Sequence, residues 1–252
     1  MRFFLFLLLF SSTHSSFAKN WENIRFTVEG AYPPFSWTTK EGNLKGFEID
    51  LINAICKVMN TKCSITKTDW DGIIPSLLSR KSDAILAAMT ITKEREKSVS
   101  FTNPYAKSTT RFIMPQEKEI NLEDEHFKTL KIGVQRATIG DKYLSQLYTS
   151  INIRRYSTFD EAFIDLLNGR LDTVFGGAIG LSIGFLETEQ GKNYHFTGPK
   201  FIEEKWFGKG IGIAIRKQDR DLKEKLNRAL EQIITNGEHK RIAKKYFSHE
   251  VM

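Results

Sequence analysis

The feature that most constrains this chain is an alternation of strand and helix that runs twice, with an extended crossing after each run. "IRFTVEG" (24–30) reads as a strand closed by Gly30 and the Tyr32-Pro33-Pro34 bend. "GFEIDLINAICKVMN" (46–60) then puts Phe47, Leu51, Ile55 and Val58 on one helical face. "CSITKT" returns as a strand, "DGIIPSLLSRK" as a short helix and "DAILAA" as a third strand. That order specifies an α/β domain with a mainly parallel sheet. A second round follows in architecture, without repeated residues: "KIGV" (131–134), "TIGDKYLSQLYTS", "INIRRY", "TFDEAFIDLLNGR", "LDTVFGG" (171–177) and a short fourth strand, "HFTG" (195–198). The crossings are "TTRFIMPQ" (109–116) and "FGKGIGIAIR" (207–216), and two helical patterns close the chain. Two α/β lobes joined by two extended crossings predict a hinged pair with a cleft between them.

The N-terminus points to export. One positive charge at Arg2, an apolar run from Phe3 to Phe10 and a Ser16-Phe17-Ala18 ending have the form of a signal peptide, residues 1–18, cleaved after Ala18. The run is too short to anchor the chain across a bilayer, and no second stretch approaches that length. Export fits the cysteine usage. Cys56 and Cys63 are the only two and allow one connectivity, which an oxidising compartment would close. The net charge of +7 is spread out except at "HKRIAKKYF". Cations at a helix C-terminus are favourable for local reasons, so that run reads as a solvated face and nucleic acid is not an expected partner. His126, His195, His239 and His249 lack metal-ligand spacing, and neither "GGAIG" nor "GKGIGIA" spells a phosphate loop. No metal or other cofactor is expected.

In open α/β sheets ligands sit beyond the carboxyl ends of the strands. The residues to read are therefore Glu29 to Tyr32, Asp69 to Trp70, Ala87 to Arg95, Gln135 to Gly140, and Gly176 to Gly177. Arg95 offers a planar fork of donors that suits a carboxylate and keeps its charge. Thr90 and the backbone N–H groups around Ala88 would complete that anion site. Tyr32 and Trp70 would face each other across an elongated group, with cation–π attraction if it is positive. Glu29 would stand at the far end, where a buried carboxylate calls for a cation. Together these describe a zwitterion with a cationic tail.

The chain resembles the periplasmic binding proteins of polar amino-acid uptake systems, those for lysine, arginine and ornithine and for histidine. The resemblance runs over nearly the whole mature chain. It is carried by "AYPPFSW", "GFEIDLINAICKVMNTKC", "DWDGIIPSLLSRKSDAI", "MTITKERE", "SFTNPY", "GRLD", "KWFGKGIGIAIRK" and "AKKYF". It implies lobe 1 over 19–110 and 207–252, lobe 2 over 111–206, and hinged closure on ligand. It implies that Arg95, with Thr90 and the Ala88 backbone, clamps an α-carboxylate, and that Tyr32 and Trp70 sandwich the side chain. Glu29 would meet the cationic end, Thr138 would add a second-lobe hydroxyl on closure, and Cys56–Cys63 matches the family disulfide. An amino-acid ligand and an inner-membrane ABC permease are the implied partners, with the protein acting as a periplasmic monomer.

Three positions depart from the family pattern. Ala88 replaces a serine, Glu29 is a methylene longer than the usual aspartate, and Gly177 stands where the family has an aspartate for the ligand α-ammonium. The stretch "GVQRATIG" also differs, with Arg136 and Ile139 in a region that is usually small and polar. A desolvated ammonium without that acid is costly. Either another carboxylate reaches in, or the ligand amine is absent or substituted. The alternative function is a cyclohexadienyl dehydratase-like enzyme on the same fold, whose keto-acid substrates need no ammonium partner but which requires a general acid. A free-standing sensor using the same cleft is the third.

Overall fold

The computed structural model describes residues 21–248, so the expected signal peptide lies outside the described residues. Two five-stranded sheets dominate. In the first, Asn23–Val28 is flanked in parallel by Lys62–Lys67 and Ala84–Ile85, and the sheet continues antiparallel through Ala214–Ile215 to Ser100–Phe101. In the second, Lys131–Gln135 lies parallel between Asn152–Tyr156 and Thr173–Gly177, followed antiparallel by Thr110–Pro115 and Tyr194–Phe201.

Each sheet is thus mixed, where the alternation predicted mainly parallel strands. The reason is directional. The parallel strands of both sheets end at the cleft, so a strand that enters from the other lobe starts there and must run the opposite way. Thr110, the first residue of its strand, pairs with Gly177, the last of its neighbour. "TTRFIMPQ" is therefore an integral strand of the second sheet as well as a crossing. The expected fourth strand is longer than read, Tyr194–Phe201, and "DAILAA" contributes only Ala84–Ile85 as strand.

The two cores differ in chemistry. The first is largely aliphatic, with Ile24, Val28, Leu51 and Ile55 packed against Leu222, Leu226, Leu230 and Ile233 of the helix Arg220–Thr235. Those helix residues recur every three or four positions, so one stripe is buried and the charged remainder is left in water. The second core is aromatic: Phe112 stacks on Phe175 at 4.1 Å between centroids, and Phe127, Phe201 and Phe207 surround them. Cys56 and Cys63 form a disulfide that ties the helix Phe47–Val58 to the strand Lys62–Lys67. In the chain-entropy view a loop this short contributes about 2 kcal/mol. The basic C-terminal run is partly paired: Lys245 reaches Asp50 at 2.8 Å and Arg241 reaches Glu238 at 2.6 Å. His239 is buried, with Nε2 2.7 Å from the Tyr105 carbonyl oxygen.

Candidate functional site

Glu29, Tyr32, Trp70, Ala88, Thr90, Arg95 and Thr138 all line one cavity, at the ends of the parallel strands and between the two sheets. Its wall also includes Phe35, Gln135, Ile139, Phe159 and Gly177.

Arg95 owes its place to a four-residue helix, Lys93–Glu96, capped by the Thr92 hydroxyl, which accepts from the Arg95 N–H at 3.3 Å. The cap turns the side chain back over the preceding loop. Its Nη1 donates to the Thr90 carbonyl at 2.9 Å, and the guanidinium lies 5.1 Å from the Trp70 ring centroid. No carboxylate pairs with it among the described residues. Loss of water alone brings its pKa down to about 10. An unpaired, poorly hydrated guanidinium favours an incoming carboxylate.

Ala88 is arranged differently from expectation. It sits at φ +47°, and its N–H is donated to Glu48 Oε1 at 2.5 Å. The same oxygen accepts the Tyr105 hydroxyl. The N–H expected to receive a ligand carboxylate is thus engaged with Glu48, and Ala88 contributes wall rather than donor. Glu48 is fully buried, and burial raises its carboxyl to about 7 against the bonds from Tyr105 and Ala88. Sequence reading gave it no role. The signal was an acid sharing a buried helical stripe with Ile52 and Ile55.

Glu29 is 3 % exposed. Gln135 Nε2, from the opposite sheet, donates to its Oε1 at 2.5 Å and also to the Ser157 carbonyl at 3.0 Å. Burial drives the Glu29 carboxyl up to about 7, while the Gln135 bond and the charge of Lys67 pull it down. The sequence places Gln135 at a strand end and points to no role for it. A buried amide closing the apolar strand Lys131–Gln135 is what marks it.

Tyr32 and Trp70 share the cavity but are each engaged elsewhere. Tyr32 stacks on Phe35 at 5.6 Å and lies 5.8 Å from Phe159 of the second lobe. Trp70 carries the Arg95 guanidinium. Thr138 is likewise committed: its hydroxyl donates to the Gln135 carbonyl at 2.7 Å and caps the helix Ile139–Leu147 by accepting from Asp141 N–H at 3.3 Å. Two ion pairs cross the cleft outside the cavity, Arg136–Asp71 and Lys142–Glu94, each at 3.4 Å. Gly177 lies on the wall, and Glu29 is the only carboxylate among the lining residues.

Two sheets that face each other across a cavity, joined by two extended crossings, with an arginine at one end that has no carboxylate partner among the described residues, define a two-lobed solute-binding protein. The description "bacterial extracellular solute-binding proteins, family 3" matches residues 24–249, and the chain belongs to that family. It is 44 % identical over 230 residues to the L-arginine-binding protein of Pseudomonas aeruginosa, covering 90 % of this chain and 89 % of that one. It is 35 % identical over 247 residues to the histidine-binding periplasmic protein of Escherichia coli, covering 97 % and 95 %. Among solved structures, a Salmonella typhimurium periplasmic binding protein described for its high arginine specificity superposes with TM-score 0.83 at 30 % identity, over 90 % of this chain and all of that one. These relatives are named as binding proteins, which does not favour the dehydratase alternative.

Proposed function

We propose that this protein is the periplasmic solute-binding subunit of an ABC uptake system for a cationic or polar amino acid, or a derivative of one, which it delivers to an inner-membrane permease. The observation that carries this reading is Arg95, a desolvated guanidinium on the cavity wall with no carboxylate partner among the described residues. The ligand carboxylate completes it, with Thr90 alongside and the Trp70 face behind. Glu29, the buried carboxyl on the wall, takes the cationic end of the ligand tail. Tyr32 and Thr138 shape the space between, and Ala88 leaves room. The names of the relatives, arginine- and histidine-binding, support this ligand class.

In this reading residues 19–110 and 207–252 form one lobe and 111–206 the other. They close by hinge motion at the two crossings, and the protein works as a monomer after removal of residues 1–18. The cross-cleft contacts Gln135–Glu29, Arg136–Asp71 and Lys142–Glu94 belong to the closed form.

The test is titration calorimetry on refolded protein with arginine, lysine, ornithine and histidine, repeated with Arg95→Ala. Loss of a buried charge pair costs about 2–5 kcal/mol, so affinity should fall at least tens-fold while the melting temperature of the free protein holds. Undiminished affinity in Arg95→Ala would refute the carboxylate site.

A further inference from the structure

Gly177 precedes the short helix Ala178–Leu181 and Gly180 is its third residue, on the second-lobe side of the cleft. A Cβ on Gly177 would lie 2.6 Å from the Tyr32 hydroxyl oxygen, and one on Gly180 would lie 2.2 Å from the Tyr32 ring. Either Cβ would force the Tyr32 ring to move, the one on Gly180 most, so the two glycines are what admit the ring in its present place across the cleft. There its hydroxyl faces the Gly177 carbonyl at 3.5 Å, and the Gly180 backbone also reaches it. The space a side chain at 177 would occupy is taken by a neutral phenol from the other lobe.

The charges on the wall then decide what fits. A free cationic amino acid brings one carboxylate and two cations. The lining residues supply one cation, Arg95, and one carboxyl, Glu29, which already accepts from Gln135. A second cation would be stripped of water beside Tyr32, Phe35 and Phe159 with no second acid on the cavity wall, and Glu48, behind Ala88, already accepts from Ala88 and Tyr105. Resting on the carboxylate site proposed above, we infer that Tyr32, seated on Gly177 and Gly180, sets specificity against a free α-ammonium. The preferred ligand class is a carboxylate bearing a single cationic tail group and no charged amine at the α-carbon.

The test compares L-arginine with 5-guanidinopentanoate, the same skeleton without the α-amine, by calorimetry on refolded wild-type protein. The inference expects the deamino compound to bind at least tenfold more tightly. Arginine binding as tightly as that compound, or more tightly, overturns the inference and leaves the carboxylate site standing. If neither compound binds, nor lysine, ornithine or histidine, the proposed function itself fails and this inference with it. A double variant, Gly177→Asp with Tyr32→Phe, removes the clashing hydroxyl and supplies the acid. It should move the preference towards arginine by at least tenfold, with a melting curve to establish that it folds. A folded double variant with an unchanged preference also overturns the inference. If the variant does not fold, the wild-type comparison decides alone.

Discussion

Two groups of arginines and acids in this protein, each with buried members, end in opposite states. On the first sheet Asp83 receives Arg25 at 2.9 and 3.0 Å and Arg216 at 2.9 Å. Arg216, only 2 % exposed, also donates to the Leu77 carbonyl at 2.9 Å and pairs with Asp219 at 2.6 Å. Every charge there has an internal counterpart. In the cleft, Arg95 has no carboxylate partner among the described residues, and Glu29 and Glu48 are buried without an ion pair of their own. The pKa values follow. Although burial opposes it, the bonds from Arg25 and Arg216 hold Asp83 at about 2, whereas burial carries Glu29 and Glu48 to about 7. Charges completed within the chain stabilise the fold; Arg95 and Glu29, left without an ion pair on the cavity wall, are the ones the proposed ligand would meet.

The comparison breaks most visibly under truncation of the completed group. Arg216→Ala leaves Asp83 and Asp219 without their shared partner, and removing one member of a buried pair costs about 3–5 kcal/mol. Denaturant unfolding should show that loss, while any folded fraction binds ligand with wild-type affinity. A variant as stable as wild type would mean that the cluster is better hydrated than its burial indicates.

A second effect comes from pH. Between its usual 4.5 and about 7, the Glu29 carboxyl holds in the folded state a proton that the unfolded chain has released, and Glu48 does the same. Both therefore make the ligand-free protein less stable as pH rises through that window. Asp83 acts the other way: its stabilisation is present above its usual 3.8 and is lost as pH falls through about 2. From these groups the free protein should thus be most stable near pH 4–5 and lose up to about 3 kcal/mol for each of Glu29 and Glu48 by pH 7.5. That is a fall of about 2–4 °C in Tm for each kcal/mol. Thermal melts across pH check this, and a Tm that rises steadily to pH 7.5 would contradict the cleft assignments.

Much of the cavity wall was legible in the sequence, because the alternation of strand and helix fixes where parallel strands end. All seven candidates came from strand ends or from positions that the family resemblance supplied, and all seven line the cavity. What could not be read was how those residues are already occupied. Glu29 meets Gln135 across 106 positions, Tyr32 meets Gly177 across 145, and Ala88 meets Glu48 across 40. Periodicity carries no information about contacts at such separations. The local engagement of Thr138 was likewise not read: Ser and Thr before a helix serve as caps, and its hydroxyl donates within its own turn. The antiparallel strands escaped because the direction of a strand depends on where the chain enters, and a short apolar run looks the same either way.

The most direct measurement is the number of protons released when arginine or 5-guanidinopentanoate binds at pH 7, taken from calorimetry in buffers of different ionisation enthalpy. With its carboxyl at about 7, Glu29 is about half protonated there and must ionise to meet a cationic tail. The account predicts release of about half a proton per ligand, fading to none by pH 9. Binding with no proton release at pH 7 would contradict it, since Glu29 would then be ionised already or would take no part.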